Sequence, residues 1–155
     1  MAEVPAGDGV LPRRVSSVVL DVTLLAYLVV VLVITLWPSP PDPASFGWLE
    51  RALAWAHARG LPASVQLPVV EAVANVALFV PLGALALWAR GARPLVAVAA
   101  GCALSASIEL TQLALPERVP TVQDVAMNTL GAALGVCVVV VSRSWGRTSP
   151  AVAGP

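Results

Sequence analysis

The stretch SVVLDVTLLAYLVVVLVITLW, residues 17–37, carries a single charge and is otherwise almost entirely apolar. At 1.5 Å per residue, a helix of about 20 apolar residues crosses the roughly 30 Å hydrocarbon core of a bilayer. Three further apolar runs of similar length follow at 71–90, 94–115 and 122–142. The pattern predicts an all-α, polytopic integral membrane protein built as a bundle of four transmembrane helices.

The composition supports this class of protein. Of the 155 residues, 58% are hydrophobic and 12% are charged, and the mean hydropathy is +0.85. A soluble domain has fewer apolar and about twice as many charged residues. Nine basic and nine acidic residues give a formal net charge of +0. The chain therefore lacks the basic surface typical of nucleic-acid binding, and we expect neither a nucleic-acid partner nor a cofactor.

The first apolar run could also be a secretory signal peptide, because Arg13 and Arg14 precede it. Its apolar core is longer than the 7–15 residues of a signal peptide, and the following WPSPPDPAS, residues 37–45, offers no good small-x-small cleavage site. We therefore expect an uncleaved first span, with residues 17–142 forming the membrane domain between the tails 1–16 and 143–155.

Arginine placement predicts the orientation of the spans. Three ends of the predicted bundle carry paired arginines: Arg13, Arg14, Arg90, Arg93, Arg143 and Arg147. Arginine is enriched on the cytoplasmic side of membrane proteins, so these ends should be cytoplasmic. The chain is therefore predicted to be multi-pass with its N-terminus and its C-terminus in the cytoplasm.

The first outer loop is predicted to contain a short helix that lies on the membrane surface. The loop begins with PSPPDP, residues 38–43, which is unsuited to a helix, and continues as SFGWLERALAWAHARG, residues 45–60. On a helix, Trp48, Leu49 and Trp55 share one face, and indole prefers the headgroup region. A solvated helix outside the membrane is the alternative interpretation.

Polar side chains of the last three spans fall at the same membrane depth. Asn75 lies near the outer end of the second span, Glu109 lies in the last turns of the third, and Asp124 begins the fourth. Residues three or four apart on a helix share a face, so Glu109 lies on one face with Gln112, and Asp124 on one face with Asn128. The candidate ligand-binding residues are Asn75, Glu109, Gln112, Arg118, Asp124 and Asn128.

Two interpretations of this group remain open. An ionised carboxylate in the hydrocarbon region costs about 3 kcal/mol, so Glu109 should face the bundle interior and is a functional candidate. Alternatively, the amide side chains could hold helices together by hydrogen bonds, while Gly131 and Gly135 let two backbones approach. Asp124 could likewise be a first-turn acid that faces the helix dipole.

The order and spacing of these residues resemble a known family. In chain order they read Asn75-x-x-x-Phe79-x-Pro81-x-Gly83, Glu109-x-x-Gln112, Arg118 and Asp124-x-x-x-Asn128-x-x-Gly131. This combination resembles VanZ-like membrane proteins over roughly residues 71–135. The resemblance implies a small bacterial protein of the cytoplasmic membrane, in a group whose namesake confers low-level teicoplanin resistance. The structural part of the motif comprises Phe79, Pro81, Gly83, Gly131 and Gly135.

The first functional hypothesis is a binding protein. A polar pocket in the outer leaflet would receive a polar lipid head, a cell-wall precursor lipid or part of a lipoglycopeptide. Arg118 would contact a phosphate or a carboxylate, because guanidinium matches the geometry of both. The carboxylates would hold a cationic or hydroxyl group. Membrane lipids are thus the expected partners, and the sequence is also compatible with a homo-oligomer.

The other hypotheses are an intramembrane enzyme, with Glu109 or Asp124 as general base, and a proton- or solute-coupled carrier, with Glu109 as the titrating group. The only histidine, His57, lies in the outer loop and the chain has no lysine, so we expect no metal site, Ser–His pair or Ser–Lys dyad. No catalytic residue can be assigned. A carrier with four spans and no inverted repeat would need to oligomerise to form a pathway.

Overall fold

The computed structural model of the protein describes residues 13–37, 47–115 and 120–145, with the backbone alone at 13–16 and 90. Within these ranges the chain forms five helices and no strand: α1 (Arg13–Thr35), α2 (Gly47–His57), α3 (Leu67–Arg90), α4 (Pro94–Gln112) and α5 (Val122–Trp145). All except α2 are long and apolar enough to cross a membrane. The predicted four-helix membrane fold is confirmed. Arg118, Arg147 and most of both predicted tails lie outside the described residues.

The helix bounds differ by a few residues from the predicted spans: α1, α3 and α5 extend beyond them at one end, and α4 ends at Gln112, before the predicted residue 115. α3 begins at Leu67, before the expected start at residue 71, with Pro68 in its first turn. Proline is tolerated there because first-turn N–H groups have no partner within the helix. Gly91 is the C-cap that follows the last helical residue, Arg90. Its φ of 56° lies in the left-handed region, which favours a residue without Cβ. At the same end of the bundle as Gly91, α5 continues beyond residue 142 to Trp145.

The helix predicted in the first outer loop is present as α2. Trp48, Ala52 and Trp55 are exposed, whereas Leu49 is half-buried, so the predicted apolar face is only partly covered by protein. The Arg59 guanidinium stacks over the Trp55 ring at 3.6 Å from its centroid. Whether α2 lies on the membrane surface stays a prediction.

α3 is the central helix, since it packs against α1, α4 and α5. Its closest contact is with α5. A Cβ added at Gly131 would overlap the carbonyl oxygen of Val76, and one at Gly135 would overlap that of Val80. From the other side, a Cβ at Gly83 would overlap the carbonyl of Ala132. The two backbones therefore touch directly, which is how small residues allow membrane helices to pack without a hydrophobic driving force.

The interior is apolar in two clusters along the bundle. The larger one is built from Val31, Phe79, Leu82 and Ile108, which belong to α1, α3 and α4. α3 continues through Pro81, although proline removes a helical N–H and leaves the carbonyl of Ala77 without its usual donor. One residue further on, the Leu78 carbonyl accepts a 2.9 Å hydrogen bond from the Tyr27 hydroxyl, which joins α1 to α3.

Candidate functional site

The structure describes all of the predicted ligand-binding residues except Arg118. Glu109, Gln112 and Asn128 are buried, and Asn75 and Asp124 are half-buried. They lie where α3 and α5 begin and α4 ends, so these three helix ends meet at one level of the bundle. Hydrogen bonds connect most of them, often through Ser105 or Thr121.

Thr121 organises the start of α5. Its hydroxyl oxygen accepts a 3.0 Å hydrogen bond from the backbone N–H of Asp124 and donates a 2.8 Å bond to Asp124 Oδ2. This is the geometry of a helix N-cap, in which a threonine side chain satisfies an otherwise unpaired N–H. The cap was not among the predictions from sequence, although Thr-x-x-Asp directly before an apolar run is a capping pattern.

Glu109 completes this cap from another helix. In a capping box, the side chain three residues after the cap bonds to the cap residue's own N–H. Here the Thr121 N–H donates instead to Glu109 Oε2, at 2.9 Å. Glu109 belongs to α4, so its carboxylate connects the end of α4 to the beginning of α5. In a membrane, satisfying such a backbone group is worth more than in water, because lipid offers no replacement partner.

Asp124 also binds α3. Asn75 Nδ2 donates to Asp124 Oδ1 at 2.6 Å, a short bond of the kind expected when the acceptor is charged. Both carboxylate oxygens of Asp124 therefore accept hydrogen bonds, one from Asn75 and one from Thr121. The carboxylates of Glu109 and Asp124 meet through a single residue, Thr121.

Asn128 lies one turn deeper. Its Nδ2 donates to the Ser105 hydroxyl at 2.9 Å, which joins α5 to α4. Ser105 is 0% exposed and Asn128 is 3% exposed. The other polar atom of Asn128, Oδ1, is buried without a hydrogen-bond partner among the described residues. Leaving a buried acceptor unpaired costs about 1–3 kcal/mol, so this oxygen is an unsatisfied acceptor among the described residues.

Gln112 turns away from the others and binds α1. Its Nε2 donates to the backbone carbonyl of Thr35 at 2.8 Å. Thr35 is the last residue of α1, and the last four carbonyls of a helix have no partner within it. The motif resemblance at residues 71–135 does not include α1, but the structure connects the end of α1 to the motif residue Gln112.

The residues that meet between α3, α4 and α5 form what we call the polar cluster, and it excludes Gln112: Asn75, Ser105, Glu109, Thr121, Asp124 and Asn128. It is rich in acceptor oxygens. Such a set can hold a ligand that offers hydroxyl or ammonium donors.

Comparison with known proteins identifies the family. A model of the VanZ/LLP1 family matches residues 24–143, which include every residue of the motif. No curated protein and no solved structure matches the chain. Because the family match extends over most of the chain and over all four membrane helices, the chain belongs to the VanZ/LLP1 family.

Proposed function

We propose that the polar cluster binds the polar head of an amphiphile in the outer leaflet and thereby alters how the cell envelope responds to teicoplanin-type antibiotics. The ligand is a membrane lipid, a cell-wall precursor lipid or a lipoglycopeptide, which share a polar head on an apolar tail. The observation that carries the proposal is Asn128 Oδ1, a buried acceptor without a partner among the described residues, inside a cluster of family motif residues.

The chemistry of the cluster supports a head with hydrogen-bond donors. Asp124 and Glu109 supply carboxylates, and Asn128 supplies an unpaired amide oxygen. A hydroxyl or ammonium group would donate to Asn128 Oδ1 and add to the hydrogen bonds that the two carboxylates already accept. Arg118, in the connecting loop, would bind a phosphate or carboxylate of the same head, because the planar guanidinium matches both groups with two parallel bonds.

The depth of the cluster supports the same assignment. Asp124 is the third residue of α5 and Asn128 the seventh, so both lie within about 10 Å of the helix start at 1.5 Å per residue. Asn75 and Asp124 are half-buried rather than enclosed. A lipid head at the membrane surface could therefore reach Asn75 and Asp124 without opening the bundle.

The decisive variant is Asp124→Asn. It keeps the size of the side chain and an acceptor for Asn75, but it removes the charge that would hold a cationic or hydroxyl group. We expect normal membrane levels and thermal stability in detergent, with loss of the teicoplanin phenotype in a sensitive host. Asp21→Asn is the matched control. Asp21 lies in α1, about 21 Å of helix rise from Thr35, which is the end of α1 that Gln112 contacts.

Two results would overturn the proposal. One is a parental phenotype in Asp124→Asn, which would mean that the charge has no function. The other is a parallel fall in phenotype, protein level and thermal stability, which would identify the cluster as packing. A photoreactive residue at position 118 separates the ligand sources, since it would capture a lipid or a lipoglycopeptide in intact cells.

A further inference from the structure

A groove of about 390 Å³ lies beside the polar cluster, between α3 and α5. Its wall on α3 runs from Pro68 to Val76, and its wall on α5 contains Gln123, Met127 and Leu130. None of these residues belongs to the cluster.

The groove has the length of one lipid leaflet. It ends next to the backbone contact between Val76 and Gly131, where α3 and α5 touch. From Pro68 to Val76 the rise of α3 is about 12 Å. Half of the hydrocarbon core of a bilayer is about 15 Å. The groove therefore runs from the outer helix ends towards the middle of the membrane.

The lining suits an acyl chain. Gln123 is its only polar side chain, and Gln123 lies at the end of the groove where α5 begins. Val73 is 61% exposed and Leu130 is 46% exposed, so the groove opens to the side of the bundle. Both helices are membrane spans, and a surface open at this depth faces lipid tails and not water.

The groove and the head site occupy neighbouring positions on the same two helices. Val76 follows Asn75 in the chain, and Gln123 precedes Asp124. The hydrogen bond between Asn75 and Asp124 connects the same two helices at the same level as the groove. A lipid whose head is held at Asp124 therefore has the first part of its tail at the groove.

We propose that this groove seats one acyl chain of the membrane lipid whose head the polar cluster binds. The inference rests on the proposed function, to which it adds the ligand class, a membrane phospholipid, and a second subsite. Head and tail would be recognised separately, the head by acceptor oxygens and Arg118 and the tail by shape.

The test uses the full-length protein in vesicles of phosphatidylglycerol and phosphatidylethanolamine. One probe is a phosphatidylglycerol with a photoreactive group in its acyl chain, and a second carries the group in its head. We expect saturable chain labelling of peptides from α3 and α5 that unlabelled lipid displaces. Val73→Trp, which fills the groove from an exposed position, should lower that labelling several-fold without changing thermal stability.

The chain offers a matched control. Val33 is 50% exposed and lines an apolar groove of about 360 Å³ on α1, a helix that supplies no residue of the polar cluster. Val33→Trp should leave chain labelling of α3 and α5 unchanged. Equal, non-saturable labelling of both grooves would overturn the inference, because it would indicate ordinary surrounding lipid.

The head probe separates the two proposals. Saturable head labelling near residues 116–124 without chain labelling of the groove would overturn the groove assignment and leave the proposed function standing. Absence of both would overturn both. Displacement of the chain probe by a lipoglycopeptide but not by unlabelled phospholipid would overturn the assignment to a membrane lipid.

Discussion

At the scale of single residues, Thr121 stands out because two carboxylates depend on it. Its hydroxyl pairs with the side chain and the backbone N–H of Asp124, and its own N–H pairs with Glu109. The Thr121 side chain is exposed, so burial does not explain the presence of a threonine here. Its contribution is to hold the first turn of α5 and both acids in one arrangement.

Replacement of Thr121 separates its two kinds of bond. Thr121→Val keeps the shape and the N–H that binds Glu109, but it leaves the N–H of Asp124 without its cap. Loss of a helix cap costs about 1 kcal/mol, so thermal stability in detergent should fall. Thr121→Ser keeps the hydroxyl and should remain near the parent. Equal stability of the Val variant and the parent would contradict the capping role.

At the scale of elements, the bundle depends on the direct backbone contact between α3 and α5. Gly131 and Gly135 are four residues apart on α5 and meet consecutive turns of α3 at Val76 and Val80. Phe79 lies between these turns and is completely buried. Because the polar cluster is formed by the same two helices and α4, the glycine contact also sets the distance at which Asn75 meets Asp124.

A single methyl group should test this contact. Gly131→Ala would place Cβ against the Val76 carbonyl and within 2.9 Å of Phe79 Cβ, where neither backbone nor core can yield easily. Overpacking of this kind costs about 1–3 kcal/mol. We expect a clear loss of thermal stability in detergent.

Gly47→Ala is the control for this substitution. A Cβ at Gly47 would have the flexible end of Arg51 as its nearest neighbour, at 3.5 Å. This variant should retain parental stability. A Gly131→Ala protein as stable as the Gly47→Ala protein would mean that the helices separate without cost.

At the scale of the whole molecule, the four spans place the polar cluster at one end of the bundle. α3 and α5 both begin there and α4 ends there, so the cluster faces one side of the membrane. The arginines at the opposite ends, including Arg93 and Arg143, predict that this side is the outer one. In this predicted orientation, the proposed ligand would lie in the outer leaflet.

Reporter fusions test the orientation. Fusions after Arg14, Arg93 and Arg147 should report the cytoplasm, whereas fusions within residues 38–66 should report the outside, because arginine is retained on the cytoplasmic face. An external signal after Arg93 would reverse the bundle. It would also move the polar cluster to the inner leaflet and remove the basis for contact with an extracellular antibiotic.

Much of this architecture could be predicted from sequence because the relevant physics is local. The length of an apolar run decides whether a helix can cross the membrane, and the four runs became α1, α3, α4 and α5. Helical periodicity placed Glu109 and Asp124 at the same end of the bundle, where the structure joins them through Thr121. The helix α2 was likewise predictable from its amphipathic spacing.

The choice of partners was decided by the tertiary structure alone. Periodicity assigns a residue to a face but does not say which helix that face meets, so it could not predict that Gln112 binds the end of α1 while Asn75 binds Asp124. Nor could it predict that Glu109 supplies the missing half of a cap on another helix. The pairing of Asn75 with Asp124 depends on how closely α3 and α5 approach, which the glycine contact sets. In a membrane, each buried polar group must then find its partner within the distances that this packing allows.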